Sequence, residues 1–344
     1  MIHTYRAIQS PAPGRLELVE REMPPPAPGH VVLAVQACGV CGADAADIDH
    51  PTMARPRVPG HEVVGRIIAL GPQVPPPWRV GQRVGVGRLG GHCNACEPCR
   101  QGRFNLCVDQ PVVGVDCDGG YAERMQVRAT ALARIPDELD AFHAAPILCA
   151  GIATFNALRK CGAEAGDLVA VLGIGGLGHL ALQYARKMGF HVVAIGRGAD
   201  IARDALDLGA HAYIDTREEA AGERLRQMGG ARALIATIGA PDAISDALTA
   251  LAPQGRAMLL GVGKDPLSVS SGWLVGGERT LAGSITGTPH DSERTLKFSV
   301  LADVRPMIEI VPLAQAETAY LRMKSGQAKF RMVLDMEAAD AARP

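Results

Sequence analysis

This chain contains few aromatic side chains, and its positive and negative charges nearly balance. Its 344 residues include only 2 Trp, 5 Tyr and 6 Phe, which together make up 4% of the sequence. The 35 basic and 36 acidic residues leave a formal net charge of -1. Nucleic-acid-binding proteins usually carry a basic surface, and those that bind single strands add aromatic rings for base stacking. The composition therefore argues against a nucleic-acid partner.

Long apolar runs are also missing. The most apolar stretch, residues 168–182, is interrupted by glycines and is shorter than the roughly 20 residues that cross a bilayer as a helix. The first 18 residues mix charged side chains with prolines and contain no apolar signal core. We therefore expect a cytoplasmic protein without a membrane partner.

Cysteine, by contrast, is plentiful, and four of the nine cysteines lie close together in a C-x2-C-x2-C-x7-C pattern. In a chain without a secretion signal, such spacing indicates metal binding rather than disulfide formation. Four thiolates within 15 residues can surround a zinc ion completely and leave no coordination position open. The pattern predicts a structural zinc in a lobe at about residues 90–110, with the ligands Cys93, Cys96, Cys99 and Cys107.

A second set of possible ligands is spread along the first half of the chain. Gly60-His61-Glu62 precedes an apolar run, Cys41 lies upstream, and Cys149 lies downstream. Two thiolates and one imidazole form the ligand set of a catalytic zinc that keeps its fourth position open, and a carboxylate is a further possible ligand. We predict that Cys41, His61 and Cys149 hold a catalytic zinc, with Glu62 able to join them.

The length predicts two domains, and the texture of the sequence changes near residue 150. Residues 1–150 contain short apolar runs separated by proline and glycine turns, which is typical of an irregular barrel of short strands. A helix is predicted over 150–158. Strands and helices then alternate over residues 151–286, including a strand over 257–261, which predicts a doubly wound parallel sheet. Residues 287–344 lie outside this rhythm and are expected to pack back on the first domain. The predicted fold class is α/β.

A glycine-rich turn joins the predicted strand 167–172 to the predicted helix 177–188. In this context, glycines at such spacing form the fingerprint of a dinucleotide-binding domain. They let the backbone approach a pyrophosphate group, which then lies at the N-terminus of the helix. The predicted cofactor-binding residues of this turn are Gly173, Gly175, Gly176, Leu177 and Gly178.

The end of the next strand, 192–195, indicates which dinucleotide is bound. An acidic residue at its tip would bind the adenosine ribose of NAD. Here the tip is Gly196-Arg197-Gly198, and Arg197 can pair with a 2′-phosphate, which favours NADP(H) over NAD(H). In the alternative interpretation, Arg197 is a solvated loop residue and Asp200 reaches the ribose.

Together these motifs resemble the zinc-dependent alcohol dehydrogenase branch of the medium-chain dehydrogenase/reductase superfamily, over essentially the whole chain. The pattern Gly60-His61-Glu62-x2-Gly65-x5-Gly71-x2-Val74 matches the signature of that branch. The resemblance implies a GroES-like catalytic domain around an inserted Rossmann domain. It also implies a homodimer or homotetramer that transfers hydride between a nicotinamide cofactor and a small alcohol or carbonyl substrate.

The resemblance assigns roles to individual residues as well. The residues matching Cys41, His61 and Cys149 hold the catalytic zinc in that family. The residue matching Glu62 can join or leave the metal, and the one matching Asp44 orients the histidine ligand, a role that suits a carboxylate. The residue matching Arg331 contacts the cofactor pyrophosphate.

The chain departs from the family pattern where protons are moved. Relatives usually carry Ser or Thr, and often His, at the positions of Ala43 and Ala46, where these side chains relay the substrate hydroxyl proton. Water, Asp47 or His50 could replace that relay. Relatives in this branch often have Trp at the position of Arg88. Arg88 either recognises an anionic or strongly polar substrate or points into solvent from the pocket rim.

Three functions therefore remain open. The first is an alcohol dehydrogenase or aldehyde reductase without the usual relay, and the second is an NADPH-dependent reductase of imines or activated alkenes. The third, a catalytically inactive nucleotide- or zinc-binding protein, is disfavoured because the complete ligand set is present. The remaining cysteines and histidines are expected to be structural: Cys38, Cys117 and Cys161 as buried small residues, His92 as packing beside the lobe, and His143, His179 and His211 as helix or strand-end residues.

Overall fold

The computed structural model describes residues 4–49 and 56–338. The strands in these ranges are β1 (Thr4–Ala12), β2 (Arg15–Glu22), β3 (His30–Val40), β4 (Glu62–Leu70), β5 (Arg83–Val86), β6 (Arg124–Arg128), β7 (Ala133–Arg134), β8 (Leu168–Leu172), β9 (His191–Gly196), β10 (Ala212–Asp215), β11 (Ala231–Ala236), β12 (Leu251–Leu259), β13 (Thr280–Gly283), β14 (Ile308–Pro312) and β15 (Arg331–Asp335). The α-helices are α1 (Gly42–Asp49), α2 (Glu97–Arg100), α3 (Ala141–Pro146), α4 (Ile152–Lys160), α5 (Gly178–Lys187), α6 (Ala202–Asp207), α7 (Ala221–Gln227), α8 (Pro241–Leu248), α9 (Ser271–Gly276), α10 (Pro289–Leu301) and α11 (Ala316–Lys324).

These elements form two compact units. Unit 1 comprises Met1–Cys149 and Gly287–Pro344, and unit 2 comprises Ala150–Thr286. The C-terminal stretch therefore returns to unit 1, where β15 pairs antiparallel with β3. Each unit has its own core of buried aliphatic side chains. Burial of one such side chain stabilises the fold by about 1.5–3 kcal/mol. These cores therefore hold in place the strands that carry the polar residues of the site.

The main sheet of unit 1 is built around β3. It contains seven strands in the order β14-β15-β3-β4-β5-β7, and β6 also pairs with β3. The register between β3 and β4 sets Gly39 opposite Glu62, and the register between β15 and β3 sets Met332 opposite Val40. Three segments that are distant in sequence thus end at one place: the residues after β3, the start of β4 and the start of β15.

Unit 2 contains a six-stranded, fully parallel sheet. Its strand order, β10-β9-β8-β11-β12-β13, is the order of a doubly wound dinucleotide-binding fold. The predicted α/β fold class is confirmed. The structure begins β12 at Leu251, six residues before the predicted start at 257, because the chain leaves α8 at Leu248 and pairs with β11 at once. Two short helices of this unit, α7 and α9, were not expected from the sequence.

A long helical stretch leads to Cys149. It begins with α3, whose N-terminal amides are capped by Asp140, continues as a π turn over Ile147–Gly151, and ends with α4. The π turn starts directly after Pro146, which has no N–H to donate to the preceding turn. The helix begins nine residues before its predicted start at 150.

The same helical stretch is rich in apolar residues. Among the described helices, 141–160 is long and apolar enough to cross a membrane by length and composition, and 89% of its most apolar window is buried inside the protein. Helices in the core of a folded domain also combine this length and apolar composition with burial.

Candidate active site and metal clusters

The first metal cluster lies where the strand ends of unit 1 meet the π turn. Cys41 follows β3, His61 and Glu62 stand at the start of β4, and Cys149 lies within the π turn. All four residues are buried, and their possible ligand atoms lie within 4.8 Å of one another. The structure therefore brings together all the ligands that were predicted from dispersed positions.

The spacing of the donor atoms fits a tetrahedral metal ion. Cys41 Sγ lies 3.8 Å from Cys149 Sγ, and His61 Nε2 lies 3.3 Å from Cys149 Sγ. Zinc bonds of about 2.3 Å to sulfur and about 2.0 Å to nitrogen would place two ligands of a tetrahedron roughly 3.5–3.8 Å apart. Two sulfurs and one imidazole nitrogen at this spacing suit zinc.

The cluster also favours the deprotonated sulfur that a metal requires. The Cys149 thiol donates to Cys41 and thereby lowers the pKa of Cys41 well below the usual thiol range, although burial acts in the opposite direction. The same contact, together with burial, raises the pKa of Cys149. Burial lowers the pKa of His61, but Asp44 and Cys41 outweigh it and raise that pKa to about 10.

Asp44 holds His61 from the side opposite the cluster. One carboxylate oxygen lies 2.7 Å from His61 Nδ1, and the other accepts hydrogen bonds from the Cys41 backbone N–H and the Tyr121 hydroxyl, both at 2.9 Å. With Nδ1 bound to Asp44, Nε2 faces the cysteines. Burial and the charge of Asp44 raise the pKa of Tyr121 well above its ordinary value, which keeps the hydroxyl protonated as a donor.

Tyr121 is a site residue that the sequence analysis missed. It is fully buried, lies 77 residues from Asp44 in the chain, and packs its ring against Gly60. No spacing rule connects a tyrosine at that distance with a metal ligand, so the sequence carried no signal for it.

Glu62 is held by a buried ion pair with Arg331. Both side chains are almost completely buried, and the pair follows from the register of β4 and β15 beside β3. Burial raises the pKa of Glu62 to about 8, although the charge of Arg331 opposes this. Glu62 Oε2 has no hydrogen-bond partner among the described residues, which leaves it available to a metal. Contact between Arg331 and a cofactor pyrophosphate stays a prediction.

Arg88 and Asp47 form a two-pronged ion pair beside the cluster. Arg88 Nη1 lies 2.5 Å from Asp47 Oδ2, and Nη2 lies 3.1 Å from Oδ1. Arg88 Nη1 also lies 3.4 Å from His61 Nδ1. Of the two alternatives for Arg88, the one in which it points into solvent is wrong, because its side chain is only 22% exposed and its charge is matched by Asp47.

The positions of the missing proton relay lie on α1. Ala43 is half-buried and Ala46 is exposed, and neither methyl group can donate or accept a proton. Asp47, which was considered as a replacement, uses both carboxylate oxygens to bind Arg88. His50, the other candidate, lies outside the described residues.

The four cysteines of the lobe form a second cluster, with possible ligand atoms within 4.8 Å of one another. Cys107 Sγ lies 3.8 Å from Cys96 Sγ and 3.6 Å from Cys93 Sγ, again the spacing of tetrahedral zinc ligands. Backbone N–H groups of Cys99 and Val108 lower the pKa of Cys96 to about 6, which favours its thiolate. Such a site could be the main constraint on a loop with little apolar surface.

The other cysteines and histidines singled out in the sequence lie outside the two clusters. His92 packs beside the lobe, where its ring stacks on Phe104 at 4.2 Å, as expected. The expectation that Cys117 is buried is wrong, since it is only half-buried. Buried Cys38 and Cys161, and helix or strand-end positions for His143, His179 and His211, are confirmed.

The glycine turn in unit 2 joins β8 to α5 as predicted. A Cβ atom on Gly178 would lie 1.9 Å from the Gly173 carbonyl oxygen, so only glycine permits this close approach. A Cβ atom on Gly175 would meet nothing within 4 Å, so the backbone is open there. No side chain caps the N-terminus of α5, and its free N–H groups suit an anionic ligand.

Comparison with known proteins decides the family. The chain matches the alcohol dehydrogenase GroES-like domain over residues 27–137 and the zinc-binding dehydrogenase domain over residues 176–300. It is 39% identical over 313 residues to the alcohol dehydrogenase notN of Aspergillus sp. (strain MF297-2), with 91% of this chain and 92% of that protein covered. The chain belongs to the zinc-dependent alcohol dehydrogenase family.

Other relatives agree with this assignment. The aldehyde reductase AdhA of Synechocystis sp. is 34% identical, with 97% of this chain and 98% of that protein covered. The structure of a cinnamyl alcohol dehydrogenase from Sorghum bicolor is 27% identical, covers 99% of this chain and 100% of its own, and superimposes with a TM-score of 0.90. As a member of the medium-chain dehydrogenase/reductase superfamily, the chain is an NAD(P)-dependent alcohol dehydrogenase with GroES-like and Rossmann-type domains.

Proposed function

We propose that this enzyme interconverts an alcohol and its aldehyde, with NADP(H) as the preferred cofactor and two zinc ions per chain. The observation that carries the proposal is the buried cluster of Cys41, His61 and Cys149, whose donor atoms have the spacing of tetrahedral zinc ligands. The four-cysteine lobe would hold the second, structural zinc.

A zinc ion held by the first cluster would act as a Lewis acid toward a carbonyl or alkoxide oxygen. The chain prepares this site in three ways. Asp44 fixes the ring orientation of His61, the pairing of Cys41 with Cys149 favours a thiolate, and Arg331 holds Glu62 beside the ligands. Glu62 can then join or leave the metal without crossing into solvent, because the residue is fully buried.

The preference for NADP(H) rests on the tip of β9. Arg197 there is exposed, and the strand ends on Gly196 without a carboxylate. A 2′-phosphate would therefore meet a guanidinium group and no acid on the strand itself. The name of the Synechocystis relative, an aldehyde reductase, supports activity in the direction of carbonyl reduction.

Proton transfer in this enzyme would depend on water. Ala43 and Ala46 carry no transferable proton, and the Asp47 carboxylate is bound by Arg88. A water molecule in the space left by the two alanines could accept the proton of an alcohol. The same observation favours a second candidate, the reduction of imines or activated alkenes, because those substrates do not require a hydroxyl relay.

The pair formed by Arg88 and Asp47 changes what we expect of the substrate. A guanidinium group that is already matched by a carboxylate has little net charge to offer an anion. We therefore expect an uncharged substrate, such as a primary or benzylic alcohol, rather than an acid. The Arg88–Asp47 pair would give one side of the site a polar lining.

Compartment and assembly belong to the same proposal. None of the nine cysteines forms a disulfide, which suits a reducing compartment such as the cytoplasm. In unit 2, β13 is an edge strand of the parallel sheet, and the nearby Val275 is 78% exposed. An open edge beside an apolar side chain suits pairing with a second copy, so we propose a homodimer or homotetramer.

Steady-state oxidation of primary and benzylic alcohols, with NADP+ and NAD+ in parallel, tests the proposal. We expect turnover of simple alcohols, with kcat/KM for NADP+ at least tenfold above that for NAD+. Reduction of imines or activated alkenes without any alcohol turnover would favour the second candidate. Absence of both activities in a zinc-loaded protein would support the catalytically inactive alternative.

A further inference from the structure

A second arginine, Arg217, lies at the place where this fold binds the adenosine ribose of its cofactor. We infer that Arg217, together with Arg197, binds the 2′-phosphate of NADP(H) and determines the choice between the two nicotinamide cofactors. This inference rests on the proposed NADP(H) preference and deepens it. From the sequence, only the tip of β9 points to this site, whereas Arg217 comes from the loop after the neighbouring strand β10.

The sheet register brings the two loops together. β9 and β10 are adjacent parallel strands, and their last paired residues are Gly196 and Asp215. The loops that begin with Arg197 and Thr216 therefore leave the same edge of the sheet side by side. In a doubly wound fold the cofactor binds at this edge, beyond the carboxyl ends of the strands.

Hydrogen bonds join the two loops into one unit. Asp215 Oδ1 accepts hydrogen bonds from the backbone N–H groups of Gly198, at 2.7 Å, and Arg217, at 2.9 Å. The Tyr213 hydroxyl donates to the Gly198 carbonyl oxygen at 2.7 Å. The Thr216 backbone N–H donates to the Gly196 carbonyl oxygen at 2.9 Å. These hydrogen bonds fix the backbones of the two loops relative to each other, and with them the backbone positions of Arg197 and Arg217.

The guanidinium group of Arg217 lies over Gly198. Gly198 has φ +102°, a conformation that favours glycine, and a Cβ atom there would lie 2.9 Å from Arg217 Nη1. The residue next to Arg197 therefore leaves room for the Arg217 side chain. Gly198 itself is buried beneath the Arg217 and Asp200 side chains, so a phosphate would meet the exposed side chains of Arg197 and Arg217 rather than the backbone.

Two exposed guanidinium groups near Gly198 are available to an anion. Asp215 is occupied by two backbone N–H groups, and these bonds lower its pKa. Arg197 and Arg217 are exposed, and neither forms an ion pair with any residue that the structure describes. The acid that competes is Asp200, whose Oδ1 lies 2.6 Å from the same Cβ position on Gly198. The two arginines and the two aspartates balance in number, but the Asp215 carboxylate is turned toward backbone N–H groups, whereas both arginine side chains are exposed to a ligand.

A phosphate is a better match for this arrangement than a ribose hydroxyl. It carries close to two negative charges and three acceptor oxygens, and guanidinium groups bind such oxygens in pairs. Asp200 alone would suit the ribose hydroxyls of NAD, but Arg217 lies beside it and would draw the carboxylate away from them. The 2′-phosphate can instead bridge Arg197 and Arg217.

Binding of adenosine 2′,5′-bisphosphate and adenosine 5′-phosphate, measured by calorimetry, tests the inference without the nicotinamide or the metal. We expect Arg217→Ala and Arg197→Ala each to weaken binding of the bisphosphate about tenfold while leaving the monophosphate unchanged. Arg217→Lys should keep part of the affinity. Arg203→Ala is the matched control, because Arg203 is exposed on α6 and pairs with Asp207 instead.

Each outcome leads to a decision. An unchanged affinity of the Arg217→Ala variant for the bisphosphate would overturn the inference, even if Arg197→Ala lost affinity. Equal binding of the two nucleotides by the wild type, with a loss of monophosphate affinity in Asp200→Ala, would overturn it together with the NADP(H) preference. Failure of the alcohol reaction would leave these binding results unaffected and so is distinguished from both.

Discussion

Asp44 shows how much of this active site depends on residues that are not ligands. Its carboxylate accepts three hydrogen bonds, from His61, the Cys41 backbone and Tyr121, and the residue is 1% exposed. Residues that hold a metal ligand from behind are typically worth a factor of about 10 to 100 in metal affinity. Tyr121 supplies one of the three donors and approaches from a different segment, so it restricts the carboxylate in a direction that the other two do not.

Replacement of Tyr121 by Phe should therefore weaken the first metal site while leaving the fold in place. The phenyl ring can fill the same space against Gly60, and only the donor to Asp44 is lost. We expect about tenfold weaker zinc binding at that site. Titration with Co²⁺, whose visible absorption reports ligand geometry, should show an altered spectrum for the Cys41–His61–Cys149 site.

Tyr5→Phe is the matched control for this variant, since Tyr5 is buried in the same core cluster as Tyr121. It should retain the wild-type Co²⁺ spectrum and zinc affinity. A Tyr121→Phe protein with the same affinity and spectrum as the Tyr5→Phe protein would show that Tyr121 only fills space.

Arg88 and Asp47 form an ion pair that could not be predicted from either residue alone. The sequence suggested separate roles for them, a substrate contact for Arg88 and a proton carrier in Asp47. The structure joins them in one ion pair across 41 residues of chain. The chemistry of each side chain was readable from the sequence, but its partner was not, because the pairing depends on how α1 lies beside the residues that follow β5.

At the scale of elements, the sequence predicted best where glycines mark both ends. The strand predicted over 167–172 and the helix over 177–188 correspond to β8 and α5 within one residue at each end. Prediction failed where the boundary is set by tertiary pairing, as in β12. It also failed at the helical stretch 141–160, because Pro146 interrupts the apolar pattern while the helix continues past it as a π turn.

The N-terminus of that stretch provides a test of how the π turn is supported. Asp140 accepts hydrogen bonds from the backbone N–H groups of Phe142 and His143, both at 2.9 Å. Its replacement by alanine should lower the free energy of unfolding by about 1 kcal/mol, measured by urea denaturation at pH 7. Glu138→Ala, which changes an exposed acid two residues earlier, should have no such effect.

The same variant should show a defined pH dependence. Burial raises the pKa of Asp140, but its hydrogen bonds with His143 and Phe142 outweigh this and lower the pKa. A carboxyl with a lowered pKa in the folded state stabilises the protein above its ordinary pKa, and this contribution is lost as the pH falls. The difference between wild type and Asp140→Ala should shrink from pH 7 toward about pH 3. A difference that stays constant over this range would contradict the capping role.

At the scale of the whole molecule, the catalytic ligands were predictable although they span more than a hundred residues. Thiol and imidazole groups are rare enough, and specific enough for zinc, to identify the site before any fold is known. The fold class followed from the alternation of strands and helices around the glycine turn. What the sequence could not supply were the contacts that depend on register: Tyr121 on Asp44, Arg331 on Glu62, and Arg217 over Gly198.

The most direct test of the account is a count of zinc ions and of turnover on the same samples of wild type and Cys41→Ser. The account predicts two zinc ions per chain in the active wild type. In Cys41→Ser it predicts one zinc ion, retained by the four-cysteine lobe, and loss of alcohol oxidation. Two zinc ions and full activity in Cys41→Ser would contradict the assignment of the catalytic metal site.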